Sequence, residues 1–309
     1  MSNAIKNTLV ICGANASGKT RLAVSLAIKF NGEIVSADSR QVYRDMDIGT
    51  GKDLEEYNTS RGMVPYHLIN VTDPSEIYTL YHYQQDSYKV IKGIWGRGKM
   101  PIIAGGTGLY IEAVLKKYRI PNVPENPELR KFLMKKGKDE LIQQLKETDF
   151  DLYHPTDLSS KKRVVRSLEI IDYAKSKKVQ WGAEQPPDIT PLIIGVRWPR
   201  AILIDRINTR LRQRLENGLI EEVERLLSYG ISHESFTYFG LEYKHVVRYV
   251  KKEVTYNNMV KELSRDIQRF AKRQMTYFRG MERRGLHIHW IDEADPEKAI
   301  EIINKFRLK

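Results

Sequence analysis

The 309-residue sequence contains 41% hydrophobic residues, enough for a sizeable core, and its apolar runs are much shorter than a membrane-spanning helix. Its single cysteine, Cys12, excludes an intramolecular disulfide and a cysteine-clustered metal site, and we expect it to pack at the end of the first strand. The formal net charge of +12 suggests a polyanionic partner, and residues 197–284 contribute most of it, with 19 basic and 11 acidic side chains. Because the N-terminus lacks an export signal, we expect a cytoplasmic protein with no membrane association.

The first hundred residues alternate short apolar runs with longer segments of helical periodicity. The apolar runs that we predict as strands are TLVIC, EIVSA, HLINV and MPIIA, and a fifth run, PLIIGVRW, begins at residue 191. The intervening segments GKTRLAVSLAIKF and YTLYHYQQDSYKVIKGIWGRG predict helices. This alternation favours an α/β fold in which helices cover both faces of a parallel sheet.

The stretch between the fourth and fifth strands has no strand signal and is bounded by proline-rich segments. We predict that residues 118–190 form a small all-helical insertion domain within a core built from residues 1–117 and 191–309. After the fifth strand, two long helical segments at 200–229 and 256–283 complete this core.

The segment GANASGKT matches in full the phosphate-loop pattern G-x-x-x-x-G-K-[ST] between a strand and a helix. Its backbone N–H groups, the helix N-terminus and the lysine would hold a di- or triphosphate, and Thr20 would offer its hydroxyl to a Mg²⁺ ion. The fold expected around this loop is a P-loop NTPase-like three-layer core. The residues that we assign to phosphate binding are Gly13, Ala14, Asn15, Ala16, Ser17, Gly18, Lys19 and Thr20.

Two polar residues follow predicted strands at the edge where parallel sheets place reactive groups. Asp38 could accept a proton from a nucleophile, hold a metal ion through water, or cap a helix. Thr107 lies in GGTG after MPIIA, where either a ligand contact or a tight turn would explain the glycines. An ATP-hydrolysing enzyme of this type would instead have an Asp at the end of a strand. We expect Asp45 and Asp47 to lie on a solvated turn.

The basic residues of the C-terminal half recur at helical spacing. In RAILIDRINTRLRQRLENG, Arg206 and Arg210 are candidates for contacting a leaving diphosphate or an RNA backbone, whereas we expect Arg212 and Arg214 to be solvated. In ELSRDIQRFAKRQMTYFRG, basic and aromatic residues alternate as in proteins that bind unpaired RNA bases, although an amphipathic helix with a charged surface would show the same pattern. The residues concerned are Arg265, Arg269, Phe270, Lys272, Arg273, Tyr277 and Phe278.

Six segments, taken in order, resemble the tRNA dimethylallyltransferases, also called tRNA isopentenyltransferases: GANASGKT, SADSRQVYRDMDIGTGK, GGTGLY, PENPELR, HPTDLSSKKRVVRSLE and AKRQMTYFRG. The resemblance covers essentially the whole chain. It implies a monomeric, Mg²⁺-dependent enzyme that transfers a dimethylallyl group from dimethylallyl diphosphate to the exocyclic amine of the adenine 3′-adjacent to the tRNA anticodon, releasing diphosphate. The insertion would hold the anticodon stem while the adenine enters the core.

The resemblance also implies roles for individual residues. Asp38 matches the general base, Thr107 matches a residue beside the reacting centre, and Arg210 matches a diphosphate binder together with Lys19 and Thr20. The positions that match tRNA contacts are Asp38, Ser39, Arg40, Gln41, Thr107, Arg130, Lys162, Arg163, Arg166, Tyr243, Lys244, Lys272, Arg273, Gln274 and Arg279.

One position departs from the family pattern. Glu242 precedes Tyr243 and Lys244, where a Gly-Tyr pair followed by a basic residue is usual. A carboxylate therefore lies in a segment that is expected to touch RNA.

Three other functions are compatible with parts of this sequence. A prenyltransferase acting on free adenine nucleotides would share the core, but the insertion and the basic C-terminal helices favour tRNA. A P-loop small-molecule kinase would require the strand-end Asp that is missing beside GGTG. An RNA-binding protein without catalysis would give Asp38 and Thr107 no reason to share a crevice.

Overall fold

The computed structural model describes residues 5–149, 157–179, 181–182, 185–306 and 308, so the first three residues of the motif HPTDLSSKKRVVRSLE lie outside the described residues. The chain forms two compact units, one from Met1–Lys117 with Gln185–Lys309 and the other from Tyr118–Glu184. The first unit therefore includes residues 185–190, which lead into the fifth predicted strand. In the ranges described, no helix combines the length and the apolar character needed to cross a bilayer.

A six-stranded parallel sheet organises the first unit. Its strands are β1 (Thr8–Gly13), β2 (Gly32–Ser36), β5 (Tyr66–His67), β6 (Met100–Gly105), β7 (Pro191–Arg197) and β8 (Ile288–Asp292). They lie in the order β5-β2-β6-β1-β7-β8, and all neighbouring strands are parallel. A separate antiparallel pair is formed by β3 (Asn58–Thr59) and β4 (Gly62–Met63).

The helices follow in chain order. They are α1 (Lys19–Lys29), α2 (Leu80–Gly96), α3 (Gly108–Leu115), α4 (Pro127–Leu133), α5 (Lys138–Thr148), α6 (Lys161–Ser176), α7 (Arg200–Glu216), α8 (Leu219–Ser228), α9 (Phe236–Phe239), α10 (Leu241–Val250), α11 (Tyr256–Arg283) and α12 (Pro296–Asn304), with a short 3₁₀ helix at Leu54–Tyr57. In the second unit, α4, α5 and α6 pack around Leu133, Leu141, Leu145, Val164, Val165 and Leu168.

The predicted α/β fold with a parallel sheet is confirmed, with differences at the sheet edges and in one helix. The predicted strand HLINV is short because Leu68 and Asn70 adopt positive φ angles of 62° and 57°, which end the extended backbone. The last strand, β8, is absent from the predictions. The segment predicted as one helix over 200–229 is two helices, because Gly218 adopts a φ of 97° between them.

The core lies on both faces of the sheet. Successive residues of a strand point to opposite faces, and on one face Leu9 and Ile11 pack with residues of α1 and α12. Cys12 is fully buried at the end of β1, as predicted, and burial raises the pKa of its thiol to about 12. The carboxyl ends of β1, β2 and β6 thus meet at one edge, where the loops that follow them carry the polar residues singled out above.

Candidate active site

The phosphate loop connects the centre of the sheet to α1. β1 ends at Gly13 and α1 begins at Lys19. A Cβ atom at Gly13 would lie 2.8 Å from the carbonyl oxygen of Val196, and Gly18 has a φ of 84°, so both positions favour glycine. The loop therefore brings the N-terminus of α1, with the N–H groups of its first turn, to the carboxyl edge of the sheet.

Lys19 is the cationic side chain of this loop. Its Nζ donates to the carbonyl oxygen of Ala14 at 3.3 Å. Burial lowers the pKa of Lys19 to about 8; the nearby Asp38 carboxylate opposes this shift, and Arg210 adds to it. A bound polyanion would favour the protonated form of this lysine.

Trp198 and Arg206 support the outer side of the loop. The indole Nε1 of Trp198 donates to the carbonyl oxygen of Ser17 at 2.9 Å. Arg206 donates from Nε to the carbonyl oxygen of Ala16 at 2.8 Å, and its guanidinium lies 4.4 Å from the centroid of the Trp198 ring. Part of the hydrogen-bonding capacity of Arg206 therefore stabilises the loop conformation.

Gln274 links the phosphate loop to the end of β6. Its Oε1 accepts from the backbone N–H of Asn15 at 2.9 Å, and its Nε2 donates to the carbonyl oxygen of Gly106 at 3.0 Å. The residue is only 6% exposed and lies on the buried face of α11. The amide therefore positions the loop, at a site where the resemblance implies a tRNA contact.

Asp38 and Thr107 come together beside the ends of β2 and β6. The Oδ1 of Asp38 accepts from the backbone N–H of Arg40 at 2.9 Å. The Oγ1 of Thr107 accepts from the backbone N–H of Ser39 at 3.0 Å, and the N–H of Thr107 donates to Ala37. These bonds hold the two side chains at one edge of the sheet, where both line the same cavity.

This cavity has a volume of about 440 Å³, within the range of pockets that bind small ligands. Its walls come from the phosphate loop, the loop after β2, the end of β6, and helices α7, α10 and α11. A second cavity of about 480 Å³ lies on the other side of a shared wall. The residues common to both are Lys19, Thr20, Arg210 and Arg214.

Arg210 and Arg214 both face this wall. Arg210 forms a close ion pair with Asp53 and donates to the carbonyl oxygen of Gly51 at 3.2 Å. The expectation that Arg214 is solvated is wrong: its side chain is 13% exposed and forms a 2.8 Å ion pair with Glu242. The carboxylate that departs from the family pattern is thus also buried, whereas Arg212 is exposed as predicted.

The loop at residues 47–49 is held by a buried carboxylate. Glu222 is 1% exposed, and its oxygens accept from the N–H groups of Asp47, Ile48 and Gly49 at 2.8–2.9 Å. The hydroxyl of Tyr243 donates to the same carboxylate at 2.7 Å. Asp47 is exposed, as expected, and pairs with the buried Lys52.

Sequence reasoning missed Glu222, although a signal for it exists. The buried face of α8 is formed by Glu222 together with Leu219, Val223 and Leu226, which recur at helical spacing. A carboxylate on an apolar helix face predicts a buried acceptor that must find donors elsewhere in the fold. Glu112 is a similar case, since it lies in the apolar helix α3 and accepts from Tyr277 and Arg284.

Comparisons with known proteins match this architecture over nearly its full length. A family model described as IPP transferase matches residues 41–281, and one described as isopentenyl transferase matches residues 6–63. The tRNA dimethylallyltransferase 2 of Pelobacter propionicus is 48% identical over 294 residues, which are 94% of this chain and 92% of that protein. The tRNA dimethylallyltransferase 1 of Geotalea uraniireducens is 46% identical over 298 residues, 96% of each chain. The chain belongs to the tRNA dimethylallyltransferase family.

A solved structure supports the same family assignment. The full-length tRNA isopentenylpyrophosphate transferase of Bacillus halodurans is 34% identical, with a TM-score of 0.68, and the match covers 97% of this chain and 95% of that one. The resemblance predicted from the six sequence segments is therefore confirmed, and with it the assignment to an enzyme family.

In this member of the tRNA dimethylallyltransferase family, the cations of α11 lie on its solvent-facing side. The exposed ones are Lys261, Arg265, Arg269, Lys272, Arg273, Arg279 and Arg283. Lys244 is also exposed, and it lines the cavity that contains Asp38 and Thr107, together with Ser39, Arg40 and Gln41. Tyr243, by contrast, is fully buried against Glu222, so its side chain is not available at the surface.

In the second unit, the cations singled out from the sequence fall into two pairs. Arg130 and Arg166 both pair with Glu169, whose side chain is 1% exposed. Lys162 and Arg163 are exposed on α6, where Arg163 pairs with Asp157. Arg130 and Arg166 therefore stabilise the packing of this unit, whereas Lys162 and Arg163 are available to a ligand at its surface.

Proposed function

We propose that this protein transfers a dimethylallyl group from dimethylallyl diphosphate to the exocyclic amine of the adenine 3′-adjacent to a tRNA anticodon, and that it does so as a cytoplasmic monomer. The observation that carries the proposal is one cavity lined by the phosphate loop, Asp38 and Thr107. The relatives are named tRNA dimethylallyltransferases, which supports dimethylallyl transfer to tRNA.

The chemistry requires groups that this cavity contains. The bond between the donor's allylic carbon and its diphosphate oxygen breaks, and a bond forms from that carbon to the adenine nitrogen. Asp38 accepts the proton that the amine loses, which strengthens a weak nucleophile. Lys19, Arg210 and the loop N–H groups stabilise the negative charge that develops on the departing diphosphate.

Mg²⁺ is part of the proposal. Among the residues described, no group of three or more His, Cys, Asp or Glu side chains is placed to hold a metal ion. Thr20 lies in the wall shared by both cavities, and its hydroxyl would hold a Mg²⁺ ion together with oxygens of the diphosphate and water. When bound, the ion would neutralise part of the charge on the leaving group.

The geometry also argues against phosphoryl transfer from ATP. A Cβ atom at Gly105, the last residue of β6, would lie 2.1 Å from the carbonyl oxygen of Ala37. The strand end therefore has no space for the carboxylate that organises Mg²⁺ and the nucleophile in phosphoryl-transfer enzymes. The space that such a side chain would need is filled by the backbone of Ala37, which follows β2.

The substrate classes can be separated in one experiment. Radiolabelled dimethylallyl diphosphate and γ-labelled ATP are each offered with a tRNA anticodon stem-loop, with free AMP, and with a stem-loop in which the adenine is replaced by guanine. We expect label on the adenine stem-loop from the prenyl donor alone. Label on AMP in preference to RNA would support the free-nucleotide alternative, and transfer from ATP would support a kinase. Absence of transfer to any acceptor would refute the proposed activity.

A further inference from the structure

Arg214 occupies a position that its sequence context does not predict. It lines both large cavities, at the wall that Lys19, Thr20 and Arg210 also form. A Cβ atom built on Gly51 would lie 1.6 Å from the Nη2 atom of Arg214 and 2.7 Å from the Nη2 atom of Arg210. The two guanidinium groups therefore end close together beside this glycine.

The charge of Arg214 is only partly compensated by its surroundings. Its Nη1 donates to Glu242 at 2.8 Å and lies 3.5 Å from the carbonyl oxygen of Gly49. Its Nε–H is buried and has no hydrogen-bond partner among the residues that the structure describes. Burial and the neighbouring Arg210 both lower the pKa of Arg214. A buried cation that lies beside a second cation and keeps a free donor is costly unless an anion completes the site.

Glu242 accounts for part of this arrangement. Its side chain is 12% exposed and pairs with Arg214, so the carboxylate that departs from the family pattern is directed to this guanidinium within the protein. The ion pair with this carboxylate holds the guanidinium of Arg214 at the wall of the cavity. The ion pair therefore accounts for both unusual features, the burial of Arg214 and the presence of a carboxylate at position 242.

We propose that Arg214 is a second guanidinium of the diphosphate subsite, that Glu242 is the positioning residue that holds it, and that Arg214 binds the diphosphate moiety of the donor beside Arg210. A small diphosphate is the ligand because Arg214 is buried beside Lys19 and the phosphate loop, where a polymer backbone at the surface does not reach. The proposal rests on the proposed function for the identity of the donor, but not for the binding of diphosphate.

The test compares Arg214→Met with Arg212→Met, a control two positions away whose side chain is exposed. Binding of inorganic diphosphate and of dimethylallyl diphosphate is measured by calorimetry with Mg²⁺ present, and binding of the stem-loop is measured separately. We expect Arg214→Met to raise both diphosphate dissociation constants by about tenfold or more, which is the scale of one charge-assisted hydrogen bond. Stem-loop binding should change less than about twofold, and Arg212→Met should change none of the three.

The double variant Arg214→Met with Glu242→Gln separates binding from structure. It removes the carboxylate that Arg214→Met leaves unpaired, so it should fold even where the single variant does not, and it should remain deficient in diphosphate binding. Unchanged diphosphate affinity in either variant, or no diphosphate binding by the unsubstituted protein, would overturn the proposal. Failure of the proposed function would appear differently, as absence of prenyl transfer by an unsubstituted protein that binds diphosphate.

Discussion

Asp38 and Lys19 are the two ionisable groups of the cavity whose interaction matters most at the scale of single residues. Asp38 lies in the loop that follows β2, Lys19 is the first residue of α1, and their opposite charges attract each other at the cavity that both line. Burial lowers the pKa of the lysine to about 8, whereas the carboxylate is oriented by the N–H of Arg40. Substitutions at these two positions should therefore affect different steps.

Replacing Asp38 should separate chemistry from binding. Asp38→Asn keeps the shape of the side chain but removes the proton acceptor, so we expect the rate of prenyl transfer under single-turnover conditions to fall by about 10²- to 10⁴-fold. The dissociation constants for donor and stem-loop should change only a few-fold. Asp45→Asn, at an exposed carboxylate of the next turn, is the matched control. Equal losses in binding and turnover would contradict the role of Asp38 as a base.

Lys19 predicts a pH dependence of donor binding. With a pKa of about 8 in the free protein, Lys19 is charged below pH 8 and binds an anion well, and it loses that charge as pH rises through 8. We expect the dissociation constant of dimethylallyl diphosphate to increase above pH 8 by up to about tenfold per pH unit, with proton uptake on binding. Calorimetry from pH 6.5 to 9.5 in buffers of different ionisation enthalpy measures both effects. A profile that Lys19→Met leaves unchanged would show that another group titrates.

At the scale of elements, a helix or strand can be predicted from the sequence when local residues define it, and not when it depends on contacts with residues far away along the chain. β1, β6, β7, α1 and α11 have periodicity and boundaries of their own, so their positions follow from local sequence. The phosphate loop, Asp38 and Thr107 are recognisable for the same reason. β8 is only five residues long and depends on pairing with a strand almost a hundred residues away, and the sequence alone carries no such information.

The supporting contacts of the site are equally non-local. Gln274 bonds to Asn15, and Glu222 bonds to residues near 48, so each joins segments more than 170 positions apart. The buried Arg214 pairs with Glu242, a residue on another helix. Patterns within one element identify which side chains face inward, but the partners of those side chains are set by the tertiary fold.

Glu222 offers a test of how far one element supports another. Glu222→Ala removes the acceptor for three backbone N–H groups and the Tyr243 hydroxyl, all in a buried setting. We expect the free energy of unfolding, measured by urea denaturation, to fall by about 3 kcal/mol. Glu221→Ala, at the exposed neighbouring position, should cost less than about 0.5 kcal/mol. If the two variants are equally stable, the carboxylate does not anchor the loop.

At the scale of the whole molecule, the net charge of +12 is unevenly distributed over the surface. Seven exposed cations on α11 form a basic surface on the unit that contains the cavity. Such a surface attracts a polyanion from a distance, and the strength of that attraction falls as salt increases.

Salt dependence tests whether these cations contact RNA. Arg269→Ala and Lys272→Ala should each weaken stem-loop binding and reduce the slope of log K against log salt by about one, while donor binding is unchanged. Filter binding at several salt concentrations measures the slope. Lys29→Ala, at an exposed lysine at the end of α1, controls for the loss of one charge. Slopes that match those of Lys29→Ala would place the RNA elsewhere.

Helix α11 carries the basic surface on one side and Gln274 on the other, and the amide of Gln274 is bonded to both the phosphate loop and the residue before Thr107. A single rigid element is therefore in contact with the proposed sites of both substrates. If RNA binding shifts α11, it shifts the loop that holds the donor, and the two affinities become thermodynamically linked. Linkage is reciprocal, so whatever factor the tRNA applies to donor affinity, the donor applies to tRNA affinity. Gln274→Ala should bring that factor closer to one.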